Sequence, residues 1–311
     1  MTTASGALVG YDHLVVSPGI QLDWDIITGM RESMDSPNVS SNYTFESAPK
    51  TWVLIRNLRR RTAVFTMPAG PIKCAGAPQK IAYLAADYWR QQGVLADIRV
   101  VLVLPTPAMF GVPVFAEELE RVVARYGIEV HKNSEVTEID PGGQKATITN
   151  DADTSSAVHA YDLMHVVPPQ SAPDWIKARP LADPDNPGGY VQIDKNTLQH
   201  NRFDTVFALG DAGSSPNSKT GAAIGKQAPV VVENLLASMR GAALPASYGG
   251  YASCPLTTAR NKVLLAEFDY TLKPAPSIPF IDTTHERRDM WLVKRYGLPA
   301  LCWNAILTGR A

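Results

Sequence analysis

Between residues 62 and 140 the sequence switches repeatedly from short β-branched runs to amphipathic stretches, and this alternation limits the fold more than any other feature. Ala63-Val64-Phe65-Thr66-Met67 reads as a strand, Pro78 to Gln92 as a helix closed by Gly93, and Arg99-Val100-Val101-Leu102-Val103-Leu104 as a second strand. Val114 to Tyr126 carries apolar residues at helical spacing and ends at Gly127, and Ile128 to His131 reads as another strand. A hairpin turns at Pro141-Gly142-Gly143. Strands joined through helices of this length pair in parallel, so an α/β fold with one small Rossmann-like domain is expected here.

The rest of the chain narrows the function classes. A length of 311 residues suits about two domains, and 45% hydrophobic against 19% charged residues excludes a disordered chain. A formal charge of -1 provides no field to attract nucleic acid. Cys74, Cys254 and Cys302 are too few and scattered for a disulfide-stapled fold and match no zinc spacing, so any cysteine role is individual chemistry. No apolar run approaches the ~18 residues of a membrane span, and Met1 to Asp12 lacks the regions of a signal peptide. Contact with a membrane is therefore expected to be peripheral.

Three places carry candidate chemistry. Thr205-Val206-Phe207-Ala208-Leu209 reads as a buried strand ending at Gly210-Asp211, before a largely apolar helix from about Gly221 to Arg240 that Pro229 should bend. An acid at the carboxyl end of a sheet strand faces the crevice where ligands bind; the plainer reading is that Asp211 caps its own loop. The second place, Lys73-Cys74-Ala75-Gly76, follows a strand where a Rossmann unit would carry phosphate-binding glycines. The glycine spacing is wrong, two prolines intervene, and Leu104-Pro105 stands where an acid should end the next strand, so a dinucleotide should bind poorly. The turn offers instead a thiol beside a lysine, which favours thiolate, against the plainer reading of a quiet buried cysteine. The third is Cys254, in Ser253-Cys254-Pro255-Leu256, read as a short loop before a strand from Lys262 to Tyr270. Spacing alone leaves open whether it meets Cys74. Cys302 reads as a packed hydrophobe. From His285 to Ala311, Arg287, Arg288, Lys294, Arg295 and Arg310 alternate with Trp291, Tyr296, Trp303 and aliphatic residues, which fits a helix in a membrane interface or an ordinary packing helix.

Taken together, Tyr11-Asp12-His13-Leu14-Val15-Val16-Ser17-Pro18-Gly19-Ile20-Gln21, Pro71-Ile72-Lys73-Cys74-Ala75-Gly76-Ala77-Pro78-Gln79-Lys80, Thr197-Leu198-Gln199-His200 and Gly210-Asp211 resemble the sulfide:quinone oxidoreductases. Ser218-Lys219-Thr220, Tyr251-Ala252-Ser253-Cys254-Pro255-Leu256 and Ala266-Glu267-Phe268-Asp269-Tyr270 extend the resemblance over nearly the whole chain, on the side of the branch that includes the mitochondrial enzyme. The resemblance implies two Rossmann-like domains of the FAD/NAD(P)-binding type, the first incomplete, with a membrane-facing helical C-terminus. Residues 1–61 and 160–250 would be what remains of the FAD-binding domain, 62–159 the second domain inserted in it, and 251–311 the quinone- and membrane-facing region. It further implies FAD as cofactor, sulfide and a quinone as substrates, and a small thiol or other sulfur acceptor. Cys74 and Cys254 would form the redox pair, sulfide attacking their oxidised form. Pro18, Gly19, Gly210, Asp211, Lys219 and Lys294 would bind FAD, Lys294 near its pyrimidine edge. The protein would be peripheral to a bacterial inner membrane, or to the mitochondrial inner membrane in a eukaryote. The family's Gly-x-Gly-x-x-Gly turn is not found, and the expectation is that the chain starts after it and alone binds FAD weakly. An NADH:quinone dehydrogenase-like flavoprotein and an inactive fragment are the alternatives.

Overall fold

In the computed structural model residues 1–309 are described, and Arg310 lies outside them. The chain divides into two compact units. One contains residues 1–21, 170–253 and 268–275; the other contains 22–169, 254–267 and 276 onward.

The second unit is organised by five parallel strands. In chain order its strands are β1 (Val39–Ser40), β2 (Arg61–Thr66), β3 (Ile98–Val103), β4 (Glu129–His131), β5 (Ser134–Asp140), β6 (Lys145–Asn150), β7 (Ser156–Ala160), β8 (Leu163–His165), β9 (Ala252–Ala259) and β10 (Lys262–Phe268). The parallel sheet has the order β1-β8-β2-β3-β4. Helix α1 (Ala77–Gln91) crosses from β2 to β3, and α2 (Pro113–Tyr126) from β3 to β4. Both helices stop at glycines with positive φ, Gly93 at 72° and Gly127 at 64°, where a side chain would be strained. Strands β2 and β3 are continuous apolar runs because both faces of the sheet are covered. Val64, Val101 and Val103 share a core with Val136, Ile139, Ala146 and Ile148 of the antiparallel strands β5 and β6. On the other face, Phe65 lies 6.4 Å from Trp89 of α1. Gly29 lies so close to β5 that an added Cβ would fall 1.9 Å from the Ile139 carbonyl oxygen, at a φ of 76°.

These units are drawn differently from the expected domains. Residues 22–61 belong with the parallel sheet, because Val39 and Ser40 pair with Met164 and His165 of β8, and Trp24, Ile27, Met30 and Met34 pack into its core. Residues 160–169 follow for the same reason, since β8 is internal to that sheet. Residues 251–311 form no unit of their own.

In the first unit the strand Leu14–Val16 runs parallel to Val206–Ala208. Phe207, Ala208, Tyr190, Val191 and Ala223 are buried around them. The helix Gly221–Met239 contains Pro229, as expected. The C-terminus, by contrast, is not one helix. Arg288–Leu292 is α-helical, Val293–Gly297 a π turn, Leu298–Asn304 a second α-helix and Ile306–Thr308 a 3-10 turn. Pro299 has no N–H to donate back to Arg295, so a regular ladder cannot cross this point.

Candidate active site

The second unit brings Cys74 and Cys254 within hydrogen-bonding reach of each other. Cys74 sits in the turn before α1 and is half-buried; its φ of 53° is a left-handed conformation that costs a non-glycine residue about 1–3 kcal/mol. The Ala77 N–H donates to the Cys74 carbonyl at 2.6 Å, closing the turn into the first residue of the helix. Cys254 is fully buried, and it lies within strand β9 where a loop was expected. Pro255 has no N–H to give a ladder, yet a two-stranded hairpin has an outer edge on which a missing N–H breaks no ladder bond. The close approach of β9 to α1 needs glycine at position 76, where an added Cβ would fall 2.6 Å from Leu256 Cδ2 and 3.8 Å from Cys254 Cβ.

The two thiols share their protons unequally. Cys74 is drawn far below the ordinary thiol range, to about 5, first by the hydrogen bond from the Cys254 thiol, against burial, and then by the Lys80 ammonium. Lys80 Nζ donates to Cys74 Sγ at 3.1 Å. Cys254 is pushed up by the proton it donates to Cys74 and by burial, which outweigh the Gly76 N–H it accepts. The pair therefore rests as a Cys74 thiolate beside a Cys254 thiol. Lys294, in the π turn, donates to Thr257 Oγ1; burial lowers it, the charge of Lys80 lowers it further, and the Cys74 thiolate opposes both. The thiolate faces a cavity of about 330 Å³ whose lining includes Asn42, Tyr43, Lys73, Lys80, Ile81 and Leu84. Tyr43 is a neutral donor, since burial holds its phenol far above its usual range, and its hydroxyl donates to the Lys73 carbonyl at 3.2 Å.

In the first unit, the loops Ser17-Pro18-Gly19 and Gly210-Asp211 leave the carboxyl ends of two adjacent parallel strands, and the Leu209 N–H donates to the Val16 carbonyl at 3.3 Å. Gly19 and Gly210 have φ of 78° and 71°. An added Cβ at Gly19 would meet nothing within 4 Å, so a ligand can approach that backbone. A cavity of about 960 Å³ lies along this strand, lined by Val15, Ser17, Pro18, Trp175 and Phe203 among others. Half-buried Asp211 supplies a carboxylate at the strand end. This set suits a large ligand with hydroxyl groups to donate. Lys219 engages the backbone of this loop. Its ammonium is buried, donating to the carbonyls of Asp211 at 2.6 Å and Gly213 at 3.1 Å, and lies 3.8 Å from the centre of the Tyr190 ring. Burial pushes it down to about 8, against the pull of Asp211, so it shapes the loop from inside. Thr220 caps the following helix, accepting from the Ala223 N–H at 3.2 Å.

Lys80 is the residue that sequence reasoning missed. Helical side chains lean toward the helix N-terminus, so a lysine in the first turn reaches back over the residue that precedes the helix. Cys302 is half-buried in the last α-helix.

No protein-family model matches the chain. It is 38% identical over 308 residues to the mitochondrial sulfide:quinone oxidoreductase of Mus musculus, covering 99% of this chain and 68% of that protein. To the corresponding protein of Dictyostelium discoideum it is 39% identical over 309 residues, covering 99% of this chain and 67% of the relative. The structure of the sulfide:quinone oxidoreductase from Aquifex aeolicus matches with a TM-score of 0.79 at 18% identity, over 97% of this chain and 71% of that one, a likeness of fold. With identity of this order over nearly its whole length and two thirds of its relatives, the chain belongs to the sulfide:quinone oxidoreductase family.

Proposed function

We propose that Cys74 and Cys254 are the redox pair through which this chain oxidises sulfide, with FAD as cofactor and a quinone as final acceptor. The observation that carries this reading is the juxtaposition of a lysine-paired Cys74 and a buried Cys254, in the turn where a Rossmann unit would otherwise grip a phosphate. With the pair oxidised, hydrosulfide attacks one sulfur, the S–S bond breaks, and its electron pair leaves on the other. The sulfur whose thiol is the stronger acid leaves faster. Cys74 is therefore the leaving thiolate, held by Lys80, and Cys254 keeps the incoming sulfur as a persulfide. FAD, when bound, supplies a two-electron carrier between the Cys74 thiolate and quinone. Gly19, Gly210 and Asp211 would hold it in the first unit, with Pro18 exposed beside them. An acceptor must then take the outer sulfur from Cys254. Lys73 and Lys80 in the cavity lining suit an anionic one, such as a small thiol in its thiolate form.

Electrons should come from sulfide and not from NADH. In anaerobic stopped-flow mixing of the flavin-loaded protein, sulfide should bleach the flavin at least a hundredfold faster than NADH at equal concentration. Fast bleaching by NADH would favour the dehydrogenase reading, which the glycine spacing around Cys74 opposes.

The quinone has to be met at a membrane, and we place the contact at the C-terminus. Among the described residues no helix is long and apolar enough to cross a bilayer. Leu292, Tyr296, Leu301, Trp303 and Leu307 are exposed, close in sequence to exposed Arg288 and Arg295. Exposed apolar side chains with flanking cations suit an interface that is part hydrocarbon and part phosphate. The relatives named above are mitochondrial, and the mitochondrial inner membrane is the setting we propose. Arg295→Gln should weaken co-sedimentation with anionic liposomes about fivefold, the equivalent of roughly 1 kcal/mol per cation, and added salt should erase the difference. Unchanged binding in both tests would move the contact elsewhere.

A further inference from the structure

Strand β9 meets helix α1 at two places. Near the helix start, Leu256 lies against Gly76 and Cys254 against Cys74. Three turns further along the helix, Asp87 accepts the backbone N–H of Arg260, at the turn of the β9-β10 hairpin, at 2.9 Å. The two intervals are of comparable length. Gly76 to Asp87 rises about 16 Å as helix, and Cys254 to Arg260 spans about 20 Å when fully extended. The strand therefore runs along the helix between the two contacts. Alternation places Cys254, Leu256 and Thr258 on one face of it.

The contact at Asp87 is not an incidental surface pair. The residue is 2% exposed, and its carboxylate receives four donors. Arg90 Nη2 at 2.6 Å and the Tyr126 hydroxyl at 3.1 Å approach one oxygen; Gln91 Nε2 at 2.7 Å and the Arg260 N–H at 2.9 Å approach the other. The single hydroxyl proton of Tyr126, from α2, is shared between Asp87 and the Thr258 carbonyl at 2.9 Å, so a second helix is drawn into the same anchor. An apolar contact such as Leu256 on Gly76 tolerates small slides, whereas a hydrogen bond to one particular N–H does not. A slide of one residue along the helix would carry Cys254 about 3.3 Å from its place opposite Cys74.

We propose that Asp87 is a positioning residue for the dithiol: by holding Arg260 at the hairpin turn, it fixes the register in which β9 lies along α1 and so keeps Cys254 opposite Cys74. The proposal rests on reading the two cysteines as a redox pair.

The test is a redox titration of the protein against dithiothreitol, followed by alkylation and peptide mapping. In it the oxidised dithiothreitol ring takes up the electron pair of the cysteines, the Cys254 thiol proton and one proton from solvent, its own S–S bond breaking as the Cys74–Cys254 bond forms. Asp87→Ala should lower the equilibrium constant for the protein disulfide about tenfold, raising its potential by about 30 mV. Asp87→Asn, which keeps one acceptor oxygen, should lower it about threefold and settles the matter if the alanine variant does not fold. A merely structural anchor would lower the melting temperature and leave the potential unmoved, so a folded variant with the wild-type constant overturns the proposal. Should the wild-type protein itself form no Cys74–Cys254 disulfide, the redox-pair reading fails first, taking the proposal with it.

Discussion

Cys254→Ser and Cys74→Ser are each expected to lower sulfide-dependent flavin reduction by at least about a thousandfold, while Cys302→Ser stays within a few fold of the unaltered protein. Residues that act as a unit in a covalent step lose nearly everything when either is removed. Serine at position 254 leaves no sulfur to carry a persulfide. Serine at position 74 removes both the partner of the disulfide and the thiolate that leaves. The half-buried Cys302 is a third thiol in the last helix, so its variant controls for the general effect of losing a cysteine. The measurement is anaerobic stopped-flow absorbance of the flavin-loaded protein after mixing with sulfide. Near-normal rates in either of the first two variants would remove the relay from consideration.

The parts of this site that could be read from sequence are those with local causes. The strands and helices from 62 to 131 follow from apolar period and glycine stops, and the structure places each within a residue or two of the expected bounds. The lowered thiol pKa of Cys74 was legible in part, since the wrong glycine spacing and the adjoining Lys73 already argued for a thiol loop. Its real partner cation, Lys80, needs the direction of helical side chains as well as the sequence. The meeting of Cys74 with Cys254 has no local cause. It depends on a hairpin laid along α1, on Gly76 leaving room, and on tertiary pairing that spacing does not encode. Segments with weak local signals were the ones misassigned. β1 is two residues long, too short to announce itself, yet its pairing with β8 carries residues 22–61 into the second unit. Pro255 hid a strand because its cost depends on which edge it occupies, and that is decided only by the partner strand.

Lys80→Met should move the pH at which Cys74 becomes reactive. A cation in hydrogen-bond contact with a thiolate favours the charged form by roughly 1.5–3 kcal/mol, or about one to two pKa units. Since Cys74 titrates near 5 with Lys80 in place, its thiolate persists down to about that pH and is lost as pH falls through it. Without the ammonium the loss should begin at higher pH, although the hydrogen bond from Cys254 and the charge of Lys294 still hold the group below an ordinary thiol. Alkylation of the reduced protein with iodoacetamide, followed at Cys74 by peptide mapping, should then be about five- to fiftyfold slower at pH 5 and indistinguishable above pH 9. Lys80→Arg, which keeps a cation, should recover most of the rate at the low end. A midpoint that does not move in Lys80→Met would mean that the hydrogen bond from Cys254 and the start of helix α1 hold the thiolate by themselves. In that case the leaving-group order inferred for the disulfide would stand on Cys254 alone.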